Sequence, residues 1–153
     1  ELRRLERHRA SASSLWNFSH FFLVKEGYAL NLDQMELCNR SLKQYLELSV
    51  MYETMQRTEG SLRDAAEEMA KKKAAHTLGP LLDLCSKPYR RMLLLRELHP
   101  LEFTRYLFAR QVRLLFRLNR LDEALAKTRD FLPPFLRRLR HTMGKASSSS
   151  SSQ

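Results

Sequence analysis

The stretch Leu101–Leu132, LEFTRYLFARQVRLLFRLNRLDEALAKTRDFL, decides the fold. Drawn on a helical wheel at about 100° per residue, its first half has two sides. With Arg110 at zero, Arg113, Arg117 and Arg120 fall within about 80° of it. Leu107, Phe108, Val112, Leu114, Leu115 and Phe116 sweep about 200° of the other side. That arc is wider than the stripe of an ordinary surface helix, so this helix should be covered on more than one side. After a tight turn near Asn119, Leu121, Ala124, Leu125, Thr128, Phe131 and Leu132 share an arc of about 120°. The stretch is a helical hairpin whose apolar faces need neighbours.

Working outward, the composition supports helices throughout. The 153 residues include no isoleucine and three valines, Val24, Val50 and Val112, whereas leucine recurs along the chain. Strands favour β-branched and aromatic residues, while Leu, Ala, Glu, Lys and Arg favour helix. Four glycines supply little hairpin-turn chemistry. The fold class expected is all-α, and the length suffices for one domain with a buried core.

On the N-terminal side, residues 1–10 read as the last turns of a helix begun upstream, with Ser13 or Ser14 capping the next one. A helix from about Leu15 to Met35 carries Trp16, Phe18, Phe21, Phe22, Val24, Tyr28, Leu30 and Leu32, the pattern of a helix packed between others. Gly27 inside it costs roughly 1 kcal/mol relative to Ala, and a close helix–helix approach would account for it. A second helix, from about Cys38 to Arg57, repeats Cys38, Leu42, Tyr45, Ser49 and Tyr52 at helical spacing. Residues 58–80 form a polar, Ala-rich insertion, with Ser61 and Asp64 in a Ser-x-x-Asp capping signal. From Leu81 to Leu98 the chain is irregular apart from a short helix after Pro88, and Pro100 suits the first position of the central hairpin. Beyond it, Pro133 and Pro134 are expected to break the helix. A short basic helix with Arg137, Arg138 and Arg140 then closes at Gly144. The domain organisation expected is thus one helical-hairpin domain over residues 11–143 and a disordered Ser-rich tail over 144–153. Because the sequence opens at Glu1 rather than Met, it is expected to be an excerpt of a longer chain.

The net charge of +10 is uneven. Residues 1–85 hold twelve basic and twelve acidic side chains, and residues 86–153 hold fifteen and five. Such a bias is an argument about partners rather than fold. Arg110, Arg113, Arg117 and Arg120 are the candidate partner-binding residues. Nucleic acid, an anionic membrane surface and an acidic protein face would each fit such a stripe. Nucleic acid is disfavoured, because the aromatic residues lie in the apolar arcs and offer the arginines no stacking platform. The longest apolar runs, such as Phe21–Val24, fall far short of the ~20 residues that span a bilayer, so membrane contact would be peripheral.

No catalytic or metal chemistry is legible. There is no phosphate-cradling glycine loop, HExxH, CxxC or GxSxG. Cys38 and Cys85 are far apart and suit a reducing compartment, and the five histidines are scattered. We expect no cofactor, no metal and no enzyme activity.

Two segments echo each other 83 residues apart: Met35–Tyr45, MELCNRSLKQY, and Leu118–Thr128, LNRLDEALAKT. The second resembles the junction of a tetratricopeptide repeat, Leu-Gly-Arg-Tyr-Asp-Glu-Ala-Leu, with small Ala124 where two helices would cross closely. Regular arrays of this kind repeat at ~34 residues. The resemblance therefore implies a degenerate, TPR-like α-solenoid segment of antiparallel hairpins, and a generic αα-hairpin is the alternative.

Three further runs carry a more specific resemblance: Lys25-Glu26-Gly27-Tyr28-Ala29, Ser41-Leu42-Lys43-Gln44-Tyr45, and Arg105-Tyr106-Leu107-Phe108-Ala109-Arg110-Gln111. In order and spacing, over residues 15–57 and 81–132, they resemble the helical N-terminal half of the large subunit ten family of the transport protein particle (TRAPP), specific to its second form. The resemblance implies a non-catalytic scaffold segment of a vesicle-tethering, Rab guanine-nucleotide-exchange complex. In that family the exchange chemistry is assigned to the small-subunit core. The partners implied are other TRAPP subunits and, through them, a Rab-family GTPase. The location implied is cytoplasmic, peripheral to Golgi membranes. The alternative is a basic helical module binding nucleic acid or an anionic membrane.

Overall fold

The structure is a computed structural model that describes residues 18–58, 81–82, 84, 88–95 and 98–148. Among the described residues every regular element is a helix: α1 Phe18–Gln34, α2 Cys38–Thr58, α3 Tyr89–Leu94, α4 Pro100–Arg117 and α5 Leu121–Ser148. The expected upstream helix end, the Ser13 or Ser14 cap, the insertion with its Ser61 signal, and residues 149–153 lie outside them. The helices pack in the order α1, α2, α4, α5, with α3 set against α1. The hairpin α4–α5 therefore finds its neighbour in the hairpin α1–α2. As its wide apolar arc requires, α4 is covered on two sides, by α2 and by α5. Phe116, at the end of that arc, is the exception and is 52% exposed.

The start of α4 follows from its sequence. Pro100 occupies the first turn, where its missing N–H breaks no helical bond. His99 caps the helix, its Nδ1 accepting from the Leu101 N–H at 3.2 Å. Four rings then form the centre of the core. Phe103 of α4 meets Phe22 of α1 at 4.8 Å and Tyr52 of α2 at 4.5 Å between centroids, both edge-on, and Phe18 lies 6.2 Å away. Edge-to-face pairing of this kind adds to simple area burial.

Both hairpin turns use one device. Glu36 and Asn119 adopt left-handed φ values of 60° and 56°. In the first turn the Leu37 N–H bonds the Leu32 carbonyl at 2.9 Å and Glu36 N–H bonds Asp33 at 3.1 Å. In the second, Arg120 N–H bonds Leu115 at 2.9 Å and Asn119 N–H bonds Phe116 at 3.0 Å. This is the paired pattern of a Schellman turn, which satisfies the last carbonyls of a helix. The two sets of residues differ in number by the same 83 that separates the sequence echo. Ser41 and Ala124, equivalent in that alignment, are 0% and 2% exposed. A small side chain is needed at each crossing, and in the first Ser41 Oγ also donates to the Ala29 carbonyl at 2.8 Å.

Two expectations from sequence fail. The proline pair does not break the last helix: α5 runs through Pro133 and Pro134, and past Gly144, to Ser148. Each proline withholds one donor, from the carbonyls of Arg129 and Asp130. Both of those residues are exposed, so water can serve their carbonyls. Rings supply the continuity that hydrogen bonds lack. Phe131 stacks on Phe108 of α4 with centroids 3.9 Å apart, and Phe135, on the far side of the prolines, lies 5.0 Å from Phe131. Gly27 marks no helix–helix approach among the described residues either: of these, a Cβ there would meet only the Arg90 guanidinium, at 3.7 Å.

Candidate interaction surface

The three sequence runs singled out above meet in space, and their polar members tie the helices together. Glu26, on the buried face of α1 between Phe22 and Ala29, is 0% exposed. It accepts a hydrogen bond from the Tyr106 hydroxyl of α4 and one from Arg90 Nη1 of α3 at 3.2 Å. Arg90 Nη2 adds a bond to the Leu23 carbonyl at 3.3 Å. Lys25, also buried, pairs with Glu47 of α2 at 2.6 Å. Gln111 of α4 donates from Nε2 to the Tyr45 carbonyl at 2.9 Å and to Ser49 Oγ, both on α2. Arg105 and Glu102 form a buried pair at 2.7 Å. Tyr89 of α3 joins it, donating to Glu102 at 3.0 Å and accepting from Arg105 Nη2. The Tyr89 ring also stacks on Tyr106, with centroids 4.5 Å apart. The buried charges are thus engaged with partners inside the fold.

Desolvation governs the chemistry of this network. Burial pushes the Glu26 carboxyl above its ordinary 4.5, while the Tyr106 hydroxyl and the Arg90 and Arg110 guanidinium groups pull it back. Burial likewise raises the Tyr106 and Tyr45 phenols far above the physiological range, so both stay neutral. An acid whose folded value is raised holds its proton more tightly when folded, so its contribution is fullest below 4.5 and fades as pH climbs through the raised value. Urea midpoints measured against pH should therefore show a decline above the ordinary carboxylate range that Glu26→Gln flattens. An identical pH profile in the variant would contradict this assignment.

The arginine stripe is less uniform than its wheel. Arg110 is half-buried: its Nε donates to the Tyr106 hydroxyl at 3.1 Å and its guanidinium lies 5.3 Å from the Tyr106 ring centroid. Arg117 pairs with Asp33 of α1. Arg120 forms a two-pronged pair with Glu123, 2.5 Å on each prong, and reaches Asn39 at 3.4 Å. Arg113 is exposed and makes no hydrogen bond or ion pair among the described residues. The four share a helix edge, yet three of them also have work inside the molecule. Sequence reading missed Glu26 and its partners, although a carboxylate on an apolar helix face was a visible signal. Its partner Tyr106 is 80 residues away, which no local pattern reveals.

The outer side of α5 is a second open surface. Leu121, Leu125 and Leu136 are 54%, 71% and 42% exposed. Leu132, Pro133, Leu136, Arg137 and Arg140 line a shallow cleft there. Among the described residues no group of three or more metal-ligating side chains occurs, and no helix is long and apolar enough to cross a membrane.

No family model matches the chain, and no solved structure matches it. Among curated proteins it is similar to trafficking protein particle complex subunit 10 of Dictyostelium discoideum, 31% identical over 132 residues, which cover 86% of this chain and 9% of the relative. It is also similar to the trafficking protein particle complex II-specific subunit 130 homologues of Arabidopsis thaliana and of Oryza sativa subsp. japonica. These are 32% and 30% identical, and each match covers 91% of this chain and 11% of the relative. The chain thus spans about a tenth of the length of the curated relatives it matches. Over most of its length, then, the chain is homologous to a segment of the large trafficking protein particle subunits named subunit 10 and II-specific subunit 130.

Proposed function

We propose that this chain is a non-catalytic scaffold segment of a vesicle-tethering, Rab guanine-nucleotide-exchange complex acting in Golgi trafficking. The homology to subunit 10 and subunit 130 is the observation that carries the reading. The disposition of the buried polar groups supports it: Glu26, Lys25, Arg105 and Gln111 cross-brace four helices instead of facing a substrate cleft. The hairpins α1–α2 and α4–α5 are read as two units of a degenerate, TPR-like α-solenoid, whose shared turn geometry favours that over a chance pair of αα-hairpins. Its partners are other subunits of the complex and, through them, a Rab-family GTPase, and its place is the cytoplasmic surface of Golgi membranes. The experiment is co-purification of the full chain with small TRAPP subunits in the presence of nuclease and detergent. Retention of those subunits is expected, and their absence would sink the reading.

Within that reading the edge of α4 serves as a partner-binding rim, with Arg113 facing outward and Arg110, Arg117 and Arg120 at its border. Exposed rim charges contribute about 0.2–1 kcal/mol. Arg113→Glu should therefore weaken partner retention a few-fold, roughly up to fivefold, while leaving the urea midpoint unchanged. Unchanged retention across a salt series would remove Arg113 from the rim. The same stripe supports a second reading, a basic surface for nucleic acid or anionic membrane. Binding to anionic but not neutral liposomes, or nucleic-acid binding that falls steeply with salt, would favour it.

A further inference from the structure

Half of the apolar arc of α5 is occupied and half is open. Ala124, Phe131 and Phe135 take the sector against α4, through the ring stack on Phe108. Beside them runs the row Leu121, Leu125, Thr128, Leu132, Leu136 and Leu139, stepping by four, three, four, four and three residues. Steps of three and four that keep to one line are the spacing of a helix–helix seam. The row is narrow because α4 has taken the adjoining sector, whereas a helix lying in a bilayer surface needs a broad apolar face. A packed helix fits this shape better than lipid.

Charge narrows the choice of helix. From Phe131 to Ser148 the sequence holds Arg137, Arg138, Arg140 and Lys145 and no acidic residue. Arg137 and Arg140 form a wall of the cleft in which Leu132 and Leu136 lie. A second copy of α5 in parallel register would set like charges opposite each other, while an antiparallel copy, which would bring Asp122 and Glu123 to Arg137 and Arg140, is an outcome of the test below. The one-signed charge at the C-terminal end of the seam speeds encounter with a separate, acidic molecule.

We propose that the outer row of α5, Leu121 to Leu139, is a docking seam for an acidic amphipathic helix belonging to a separate protein subunit. Its apolar residues fill the row between Leu125 and Leu136, and its carboxylates pair with Arg137 and Arg140. The proposal rests on the scaffold reading above, which puts other subunits at hand.

The test places the photo-crosslinker p-benzoylphenylalanine at position 125 or at position 136 of the full chain, in the complex purified from cells. Both positions are expected to cross-link one segment of another subunit, at points about 11 residues apart, as two helices in register require. That segment should be net acidic with apolar residues at steps of three and four. Arg137→Glu with Arg140→Glu should lower the cross-link yield roughly fivefold or more, whereas Arg91→Glu on α3 should not. Circular dichroism establishes that each variant keeps its helices. A lipid adduct, a cross-link into the same chain or a second copy, a basic or neutral segment, no protein adduct, or a yield indifferent to the charge reversal would each overturn the proposal. Loss of cross-links with subunits still co-purifying defeats the seam alone. Loss of co-purification from the unaltered chain defeats the scaffold reading and the seam together.

Discussion

Phe103→Ala is expected to destabilise the protein by about 3–5 kcal/mol, read as a fall in the urea midpoint with the slope of the transition unchanged. The ring is 2% exposed and is shared by three helices, meeting Phe18 and Phe22 of α1 and Tyr52 of α2. Truncation removes its own burial and leaves a cavity that three backbones must move to fill. Since domains of this size hold roughly 5–15 kcal/mol in all, the loss is a large fraction of the total. Phe103→Leu separates the two contributions: it restores most of the volume but none of the edge-on ring geometry, worth about 0.5–1.5 kcal/mol per pair. An alanine variant within about 1 kcal/mol of the parent would mean that the four rings do not form the centre of the core.

Arg105→Ala should cost about 3–5 kcal/mol for a different reason. The guanidinium is 1% exposed and balances Glu102, itself 4% exposed. Removing it takes the cation from beside a buried carboxylate and deprives Tyr89 of one of its hydrogen-bond partners. A pair of this kind is expensive to break and much cheaper to replace, because desolvating two charges offsets most of their attraction. Arg105→Met combined with Glu102→Leu should therefore recover most of the loss in equilibrium urea denaturation. If the double variant is as unstable as the single one, the pair contributes through its connection to Tyr89 and Leu81 rather than through charge balance.

The hairpin α4–α5 was legible because its signals are local: Pro100 at a helix start, Asn119 at a left-handed turn, and apolar residues at helical spacing. The echo between residues 35–45 and 118–128 was legible too, although faintly, since the geometry common to both turns lies in backbone hydrogen bonds that many side chains permit. Glu36 and Asn119 occupy the same turn position without resembling each other. The depth of Arg110 was not legible. Its wheel angle matches that of the exposed Arg117, and only the neighbouring Tyr106 and the approach of α1 draw it inward. Leu121 and Leu125 mark the converse limit. Their arc includes Ala124 and Phe131, yet one neighbouring helix covers only part of it. Burial is a property of what packs alongside, and periodicity reports only which residues could share a face.

In mechanical terms, α5 is two rods spliced by aromatic rings. At the join the ladder of main-chain bonds skips two rungs, at Arg129 and Asp130, and Phe131 and Phe135 bridge the gap from the side. Stacked side chains and their anchor on Phe108 thus add stiffness where the backbone ladder is thinned. A bending load on the far end of this helix therefore reaches α4 at the splice as well as passing along the axis of α5.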